Sequence, residues 1–334
     1  MVIVIGGGIS GVACAAALNG HGIPVELFDR GHKLGGRMAS RVIRDSGTDY
    51  DGRVVDIGAS YFTASDEKFL SVVEDWKARG LARAWTDAFH LASPQGVSGV
   101  RAGPMRYAAV GGLRSLIEDL ATRLPSTTIR HHHIVESVSI TGDQLSVDGR
   151  SADAVAICMP DPQARQLLNS KVPELEATIE ATSGVVWEPT LSVTAVFQSI
   201  CWIPFDGAFV NDDAVLTWIA NDGSRRGDGA PVLVAHVNPV LAAGHLADPT
   251  AVIPSVLAAL QRILALSEQP IWVDIQRWTY ARPLLARADE CYLDDKINIG
   301  VAGDAWAGGP RVETAWLSGA ALGQRLAERL AALA

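Results

Sequence analysis

Gly6, Gly8 and Gly11 stand in the pattern G-x-G-x-x-G, and Asp29 follows 18 residues after the last of them. The first glycine of such a pattern permits a tight turn, the second lets backbone approach a pyrophosphate, and the third lets a helix pack close to a strand. Peptide N–H groups at the start of that helix then face the phosphates, where the dipole favours negative charge. An acidic side chain ending the next strand accepts hydrogen bonds from a ribose diol. Ile9 and Ser10 complete the loop, and Arg30 follows Asp29. This constellation reads as a dinucleotide site without choosing between a nicotinamide and a flavin dinucleotide. Gly35-Gly36-Arg37-Met38 adds a second glycine turn and a fixed cation suited to a pyrophosphate. A third group is aromatic: along Ile271–Tyr280, strand alternation puts Trp272, Asp274, Gln276, Trp278 and Tyr280 on one face. His236 shares a face with Val232 and Val234 in the same way. Flat rings of this kind can hold a planar substrate at the distance hydride transfer needs.

The elements that must position these residues are legible as hydrophobic runs. Val2–Ile5 reads as a buried strand and Val12–Leu18 as a small-residue helix, with a second strand, Pro24–Phe28, ending at Asp29. Met1 to Leu18 carries no charge, but four glycines interrupt it and no basic residues precede it, so we read strand and helix here and not a leader or a membrane span. Val54–Phe62 reads as a strand entering a turn, and Ile297–Asp304 as a buried strand ending in Gly303-Asp304, followed by a helix from about Val312 to Leu333. Helical stripes predict helices over 66–79 and 113–124. A strand through Thr127–Ile140 and another at Ala154–Cys158 follow. Alternation predicts strands at Leu191–Phe197, Val215–Ala220, Val232–Val237 and Ile271–Tyr280, with a helix opened by Asp248-Pro249 between the last two.

Composition narrows the function classes. With 334 residues and 48% hydrophobic content the chain is globular and long enough for two domains. A net charge of −9 argues against nucleic acid as a partner, and nothing suggests a membrane. Cys14, Cys158, Cys201 and Cys291 are widely spaced, which fits a reducing cytoplasm and neither a disulfide framework nor zinc. His131-His132-His133, read as part of a strand, cannot converge on a metal because neighbours point to opposite faces.

Gly6–Gly11, Asp29, Gly35–Met38, Asp56–Thr63, Pro160–Gln163, Gln276–Pro283 and Gly303-Asp304 together resemble the flavin amine-oxidase superfamily, and within it the renalase-like branch. The resemblance spans nearly the whole chain. It implies an α/β fold with an FAD-binding Rossmann-like domain of the glutathione-reductase type (1–64, 104–164, 290–334) and a mixed sheet-and-helix substrate domain (65–103, 165–289). It also implies non-covalent FAD. Ser10 would then meet the pyrophosphate with the loop amides, Asp29 the adenosine ribose, and Arg37 the pyrophosphate flank, with Ile9, Arg30 and Gly36 among the cofactor contacts. Val135 would pair its backbone with adenine, Ala59 and Ser60 would lie near the isoalloxazine, and Asp304 would bind the ribityl chain. The helix start near Val312 would face the flavin pyrimidine, where it stabilises the charge of the reduced ring.

For the reaction, the resemblance implies an oxidase that takes a hydride at flavin N5 from 2- or 6-dihydro isomers of NAD(P), with O₂ returned as H₂O₂. Trp278, His236 and Tyr280 are its catalytic candidates, and Trp187, Trp218, Trp306 and Trp316 are further candidates for the ring-binding face. A second glycine fingerprint for NAD(P)H is absent from the sequence. Amine oxidases of the superfamily often carry a lysine on a substrate-domain strand, but none of the five lysines here falls between Val172 and Asp295. Two departures from the renalase-like pattern bear on substrate: Asn238-Pro239-Val240-Leu241 replaces a Trp-Ser continuation after His236, and Arg225-Arg226 replaces Lys-Pro. The alternatives are an amine oxidase or other small-molecule dehydrogenase, and a flavin-binding redox sensor without turnover.

Overall fold

Val2–Ile5 is wholly buried and pairs in parallel on both sides, with Val25–Phe28 in the register Val2↔Val25 and with Ala154–Ile157 in the register Val2↔Ala154. The computed structural model describes residues 1–142 and 144–333. It divides into two units, Met1–Gly36 with Ile117–Trp187 and Arg282–Ala334, and Arg37–Leu116 with Glu188–Ala281.

In the first unit, six strands run in the order Tyr292–Asp294, Ile299–Val301, Ala154–Ile157, Val2–Ile5, Val25–Phe28, Thr127–Arg130. All neighbours are parallel except the Tyr292–Asp294 edge. Continuous apolar runs suit such strands because both faces are covered. Ile3, Ile5, Phe28, Ile157 and Val301 share one core with Val138, Leu145 and Val147 of a small antiparallel sheet. The helices Ile9–Gly20 and Val312–Ala331 pack backbone to backbone. A Cβ at Gly319 would lie 2.0 Å from the Ser10 carbonyl oxygen, and one at Gly323 2.4 Å from that of Cys14. Two glycines one turn apart therefore bring the closing helix onto the opening one.

The second unit holds seven strands in the order Trp272–Pro283, Trp187–Val196, Val232–Val237, Leu216–Asn221, Gly207–Val210, Ala82–Ser93, Gly96–Ala109. Alternation assigns the faces: Leu233, Ala235 and Val237 pack with the helix Ile253–Leu264, while Val232 and Val234 join Ile43, Val55, Phe89 and Trp218 on the other side. Val273 and Ile275 lie against the first cluster and Trp272 against the second, as the alternation along that strand requires.

Three local expectations need correction. The strand through Thr127–Ile140 is two strands: Thr127–Arg130 stays in the parallel sheet, the chain turns at His131-His132, where His132 has φ 54°, and Val138–Thr141 belongs to the antiparallel sheet. The three histidines thus leave the strand; His133 stacks on Phe28 at 4.3 Å and His132 packs against His32. Asp248-Pro249 opens a 3₁₀ turn, Pro249–Val252, and the α-helix starts only at Ile253. The hairpin Ala82–Ser93/Gly96–Ala109 was not expected at all. Its second strand is exposed from Ser98 through Met105, so no burial imposes alternation, and Gly96, Gly99, Gly103 and Pro104 weaken the strand signal further. Among the described residues no helix is long and apolar enough to cross a membrane, and no group of three or more His, Cys, Asp or Glu could hold a metal ion.

Candidate cofactor and substrate sites

In the first unit the sheet delivers the glycine loop to the start of the opening helix. Gly8 caps that helix without any side-chain hydrogen bond. A Cβ at Gly11 would lie 1.9 Å from the Gly6 carbonyl oxygen, so the close turn requires glycine there. Gly8 differs: a Cβ there would meet nothing within 4 Å, which leaves room in front of the helix. The second glycine turn closes alongside, with the Gly35 amide donating to the Gly7 carbonyl at 2.9 Å and a Cβ on Gly36 placed 3.4 Å from Gly8 Cα. Ser10 is 5% exposed and its hydroxyl has no partner among the described residues. An uncapped helix start, an open glycine and an orphaned buried hydroxyl fit a diphosphate.

The remaining positions of this unit vary in how they are held. The Asp29 carboxylate accepts from the Gly7 and Gly31 amides, each at 2.7 Å, so it clamps the loop and keeps lone pairs for a diol. With its amide oxygen turned toward Arg30, Gln163 accepts from that guanidinium at 2.9 Å. Ile9 is buried, and Val135 is buried with its backbone amide and carbonyl unbonded among the described residues. Asp304 is buried beside Gly303, whose amide donates to the Ser318 hydroxyl at 3.0 Å. Val312 is the first residue of the closing helix, at whose start the Arg311 amide donates to the Thr314 hydroxyl at 3.1 Å. Trp306 is core, with the Arg287 guanidinium 4.3 Å above its ring, and Trp187 packs against the same core.

In the second unit, Asp56–Ser60 is held by buried charge. Asp56, Asp222 and Arg225 are each 0% exposed. Arg225 pairs with Asp222 and donates to the Ser60 carbonyl at 3.1 Å and the Asp56 carbonyl at 3.3 Å. The Asp56 carboxylate accepts from Ser40 at 2.6 Å, the Leu113 amide at 2.8 Å and Arg226 at 3.0 Å. Burial pushes the Asp222 carboxyl up, but the charges of Arg225, Arg226 and Arg53 outweigh it and hold its pKa at about 2. This network was not foreseen; the adjacent arginines between two apolar strands were its one visible trace.

His236 and Trp278 both flank Gly58. A Cβ on Gly58 would lie 3.2 Å from the Trp278 ring, whose N–H donates to the Ile57 carbonyl at 2.7 Å. Burial and then the Arg225 charge depress the His236 pKa to about 4, against a backbone hydrogen bond at Gly58 that raises it. The imidazole is therefore neutral at pH 7, and its Nε2 has no partner among the described residues. Tyr280 lies two residues beyond Trp278 on the same strand face, half-buried. On that face Asp274 and Gln276 are engaged by Arg41. Ala59 donates its amide to the Arg37 carbonyl at 2.8 Å, and the Arg37 guanidinium donates to the Ala281 carbonyl at 3.2 Å. Ser60 Oγ accepts from the Trp218 indole at 2.9 Å. A neutral imidazole, ring faces and a fixed backbone turn can orient a planar group, and this arrangement offers little acid–base chemistry.

Comparison with known proteins places these features. Residues 4–76 match the NAD(P)-binding Rossmann-like domain model, and residues 82–326 match that of flavin containing amine oxidoreductases. Amine oxidase [flavin-containing] A of Sus scrofa is 35% identical over 74 residues, which span 22% of this chain and 13% of that protein. Two solved structures share the fold across nearly the full length of both chains. A putative protoporphyrinogen oxidase from Exiguobacterium sp. 255-15 is 18% identical with a TM-score of 0.74, covering 100% of this chain and 99% of that one. Cyclohexylamine oxidase from Brevibacterium oxydans IH-35A is 15% identical with a TM-score of 0.74, covering 99% of each chain. With the family model matched over 82–326 and a dinucleotide-binding domain matched ahead of it, the chain belongs to the flavin containing amine oxidoreductases and is an FAD-dependent oxidoreductase.

Proposed function

We propose that this oxidoreductase is a renalase-like oxidase that takes hydride from the 2- and 6-dihydro isomers of NAD(P) and returns them to NAD(P)⁺. FAD, which the Gly6–Gly11 loop, Ser10 and Asp29 would hold, would supply the hydride acceptor at N5, with O₂ as the final oxidant and H₂O₂ as its product. The observation that carries the reading is His236, half-buried and held neutral first by desolvation and then by the Arg225 charge, set with Trp278 against Gly58. A dihydropyridine ring becomes aromatic as hydride leaves, so no base has to remove a proton. The residues need only orient the ring and exclude water. Trp278 would present its ring face and Tyr280 would border it. His236 would present an unprotonated nitrogen to the ring's carboxamide. An amine substrate must instead lose an ammonium proton, and the fixed charge of Arg225 near His236 opposes that cation. The absence of lysine between Val172 and Asp295 supports the same reading.

Small molecule and O₂ are then the only partners the reaction needs, and four free cysteines support a cytoplasmic setting. The test is product analysis in air: each isomer should yield NAD(P)⁺ and H₂O₂ in equal amounts. A second reading, oxidation of a small amine, draws on the matched family model. It replaces the first if the isomers are returned unchanged while an amine panel yields H₂O₂.

A further inference from the structure

Arg106 is 7% exposed and, among the described residues, makes no ion pair. Its Nη1 is buried without a hydrogen-bond partner. The guanidinium lies over the Phe89 ring at 4.3 Å, inside a group of rings. Phe89 contacts Tyr61 at 5.1 Å, Trp85 at 5.3 Å and Trp218 at 4.7 Å, and Phe209 meets Trp218 at 5.0 Å. The indole N–H groups of Trp85 and Trp218 are spent on Ser224 and Ser60, so the cluster presents ring faces. Burial pushes the Tyr61 phenol up, the Arg106 charge working against it, so Tyr61 stays neutral and supplies no counter-charge.

A buried guanidinium with no carboxylate is costly, and a ring beneath it leaves its N–H donors unsatisfied. The local backbone is shaped to put it there. Thr86 pairs with Arg106 and Ala88 with Ala102, so Gly103, Pro104 and Met105 all bulge opposite Asp87. Bulges re-aim side chains beside functional sites. A Cβ at Gly103 would lie 2.6 Å from Arg106 Nη2, so glycine makes the room the guanidinium occupies. The cluster is reachable: Phe209 is 37% exposed, and Tyr61 and Trp85 are half-buried.

We infer that Arg106 is a specificity-determining residue that pairs with an anionic group, carboxylate or phosphate, on a substrate whose planar ring lies against the Tyr61–Trp85–Trp218 cluster. The inference rests on the reading that this face of the second unit receives substrate. It selects for anions such as a dinucleotide, whose diphosphate can meet a guanidinium bidentately, and against ammonium substrates.

The test is binding to oxidised holoenzyme, followed by tryptophan fluorescence and by the flavin absorption band, with benzoate, phenyl phosphate and the uncharged benzamide as probes. Saturable binding of either anion at least tenfold tighter than benzamide is expected, and the tighter of the two identifies the group recognised. Arg106→Met should weaken the anion at least tenfold and leave benzamide unchanged, and Arg106→Lys should recover part of the loss. Equal binding of anions and benzamide by the unaltered protein overturns the proposal even if Arg106→Met fails to fold. An unchanged anion affinity in a folded, flavin-bearing Arg106→Met protein overturns it as well. Since no probe is a hydride donor, failure of the dihydro-NAD(P) reading leaves this result standing, and the reverse also holds.

Discussion

His236 carries its proton only near pH 4, against an ordinary value of 6.5. Flavin reduction by the proposed donors should therefore be flat between about pH 6 and 8, and a step near 6.5 would show an imidazole that titrates in the working range. The same difference sets a stability dependence. The unfolded chain takes up the proton near 6.5 and the folded one only near 4, so this stabilisation is complete above 6.5 and is lost as pH falls through 4. Thermal unfolding midpoints should drop over that window, and His236→Gln should flatten the drop. Ser10 offers a second check on a single group. Its hydroxyl has no partner among the described residues, so Ser10→Ala should weaken FAD by about tenfold, the value of one hydrogen bond to a charged acceptor, without lowering the stability of the flavin-free protein. Equilibrium dialysis and calorimetry read the two effects separately.

At the scale of elements, the opening strand–loop–helix was legible because three signals coincide there: an uninterrupted buried strand, the glycine spacing, and an acidic residue ending the next strand. The structure adds what no spacing could show, that Gly8 faces open room while Gly11 lies against the Gly6 carbonyl. Gly8→Val should consequently fold and emerge colourless, with unchanged far-ultraviolet circular dichroism; a yellow protein with full FAD would contradict the placement of the diphosphate. The Asp56–Ser60 turn was read as family-like, but the charges that hold it were hidden, since Arg225, Asp222 and Asp56 are far apart in sequence or lie in an otherwise unremarkable polar stretch. Arg225→Met leaves Asp222 buried with one fewer counter-charge and releases the Ser60 and Asp56 carbonyls, which should cost about 3–5 kcal/mol in chemical denaturation. The hairpin of 82–109 was illegible for another reason: an edge strand exposed on both faces has no period to read. The strand expected over 127–140 is broken by a turn in which the non-glycine residue His132 takes a left-handed conformation, so no Gly or Pro in the sequence marks it.

At the scale of the whole molecule, each unit carries its own group of candidate residues. The first carries the loop, the acidic clamp and the closing helix suited to a diphosphate and its sugar. The second carries rings, a neutral imidazole and two buried arginines, Arg225 paired within a network and Arg106 without an ion pair among the described residues. Against a net charge of −9, the Arg106 guanidinium, without an ion pair among the described residues, is suited to one anionic group rather than to polyanions broadly. The most direct measurement is anaerobic stopped-flow mixing of the yellow holoenzyme with the purified 2- and 6-dihydro isomers of NAD(P). The account predicts rapid, stoichiometric loss of the flavin band near 450 nm, about the usual position for oxidised flavin, with NAD(P)⁺ formed in the same phase. A flavin that stays oxidised with both isomers, yet is bleached by a simple amine, would contradict it.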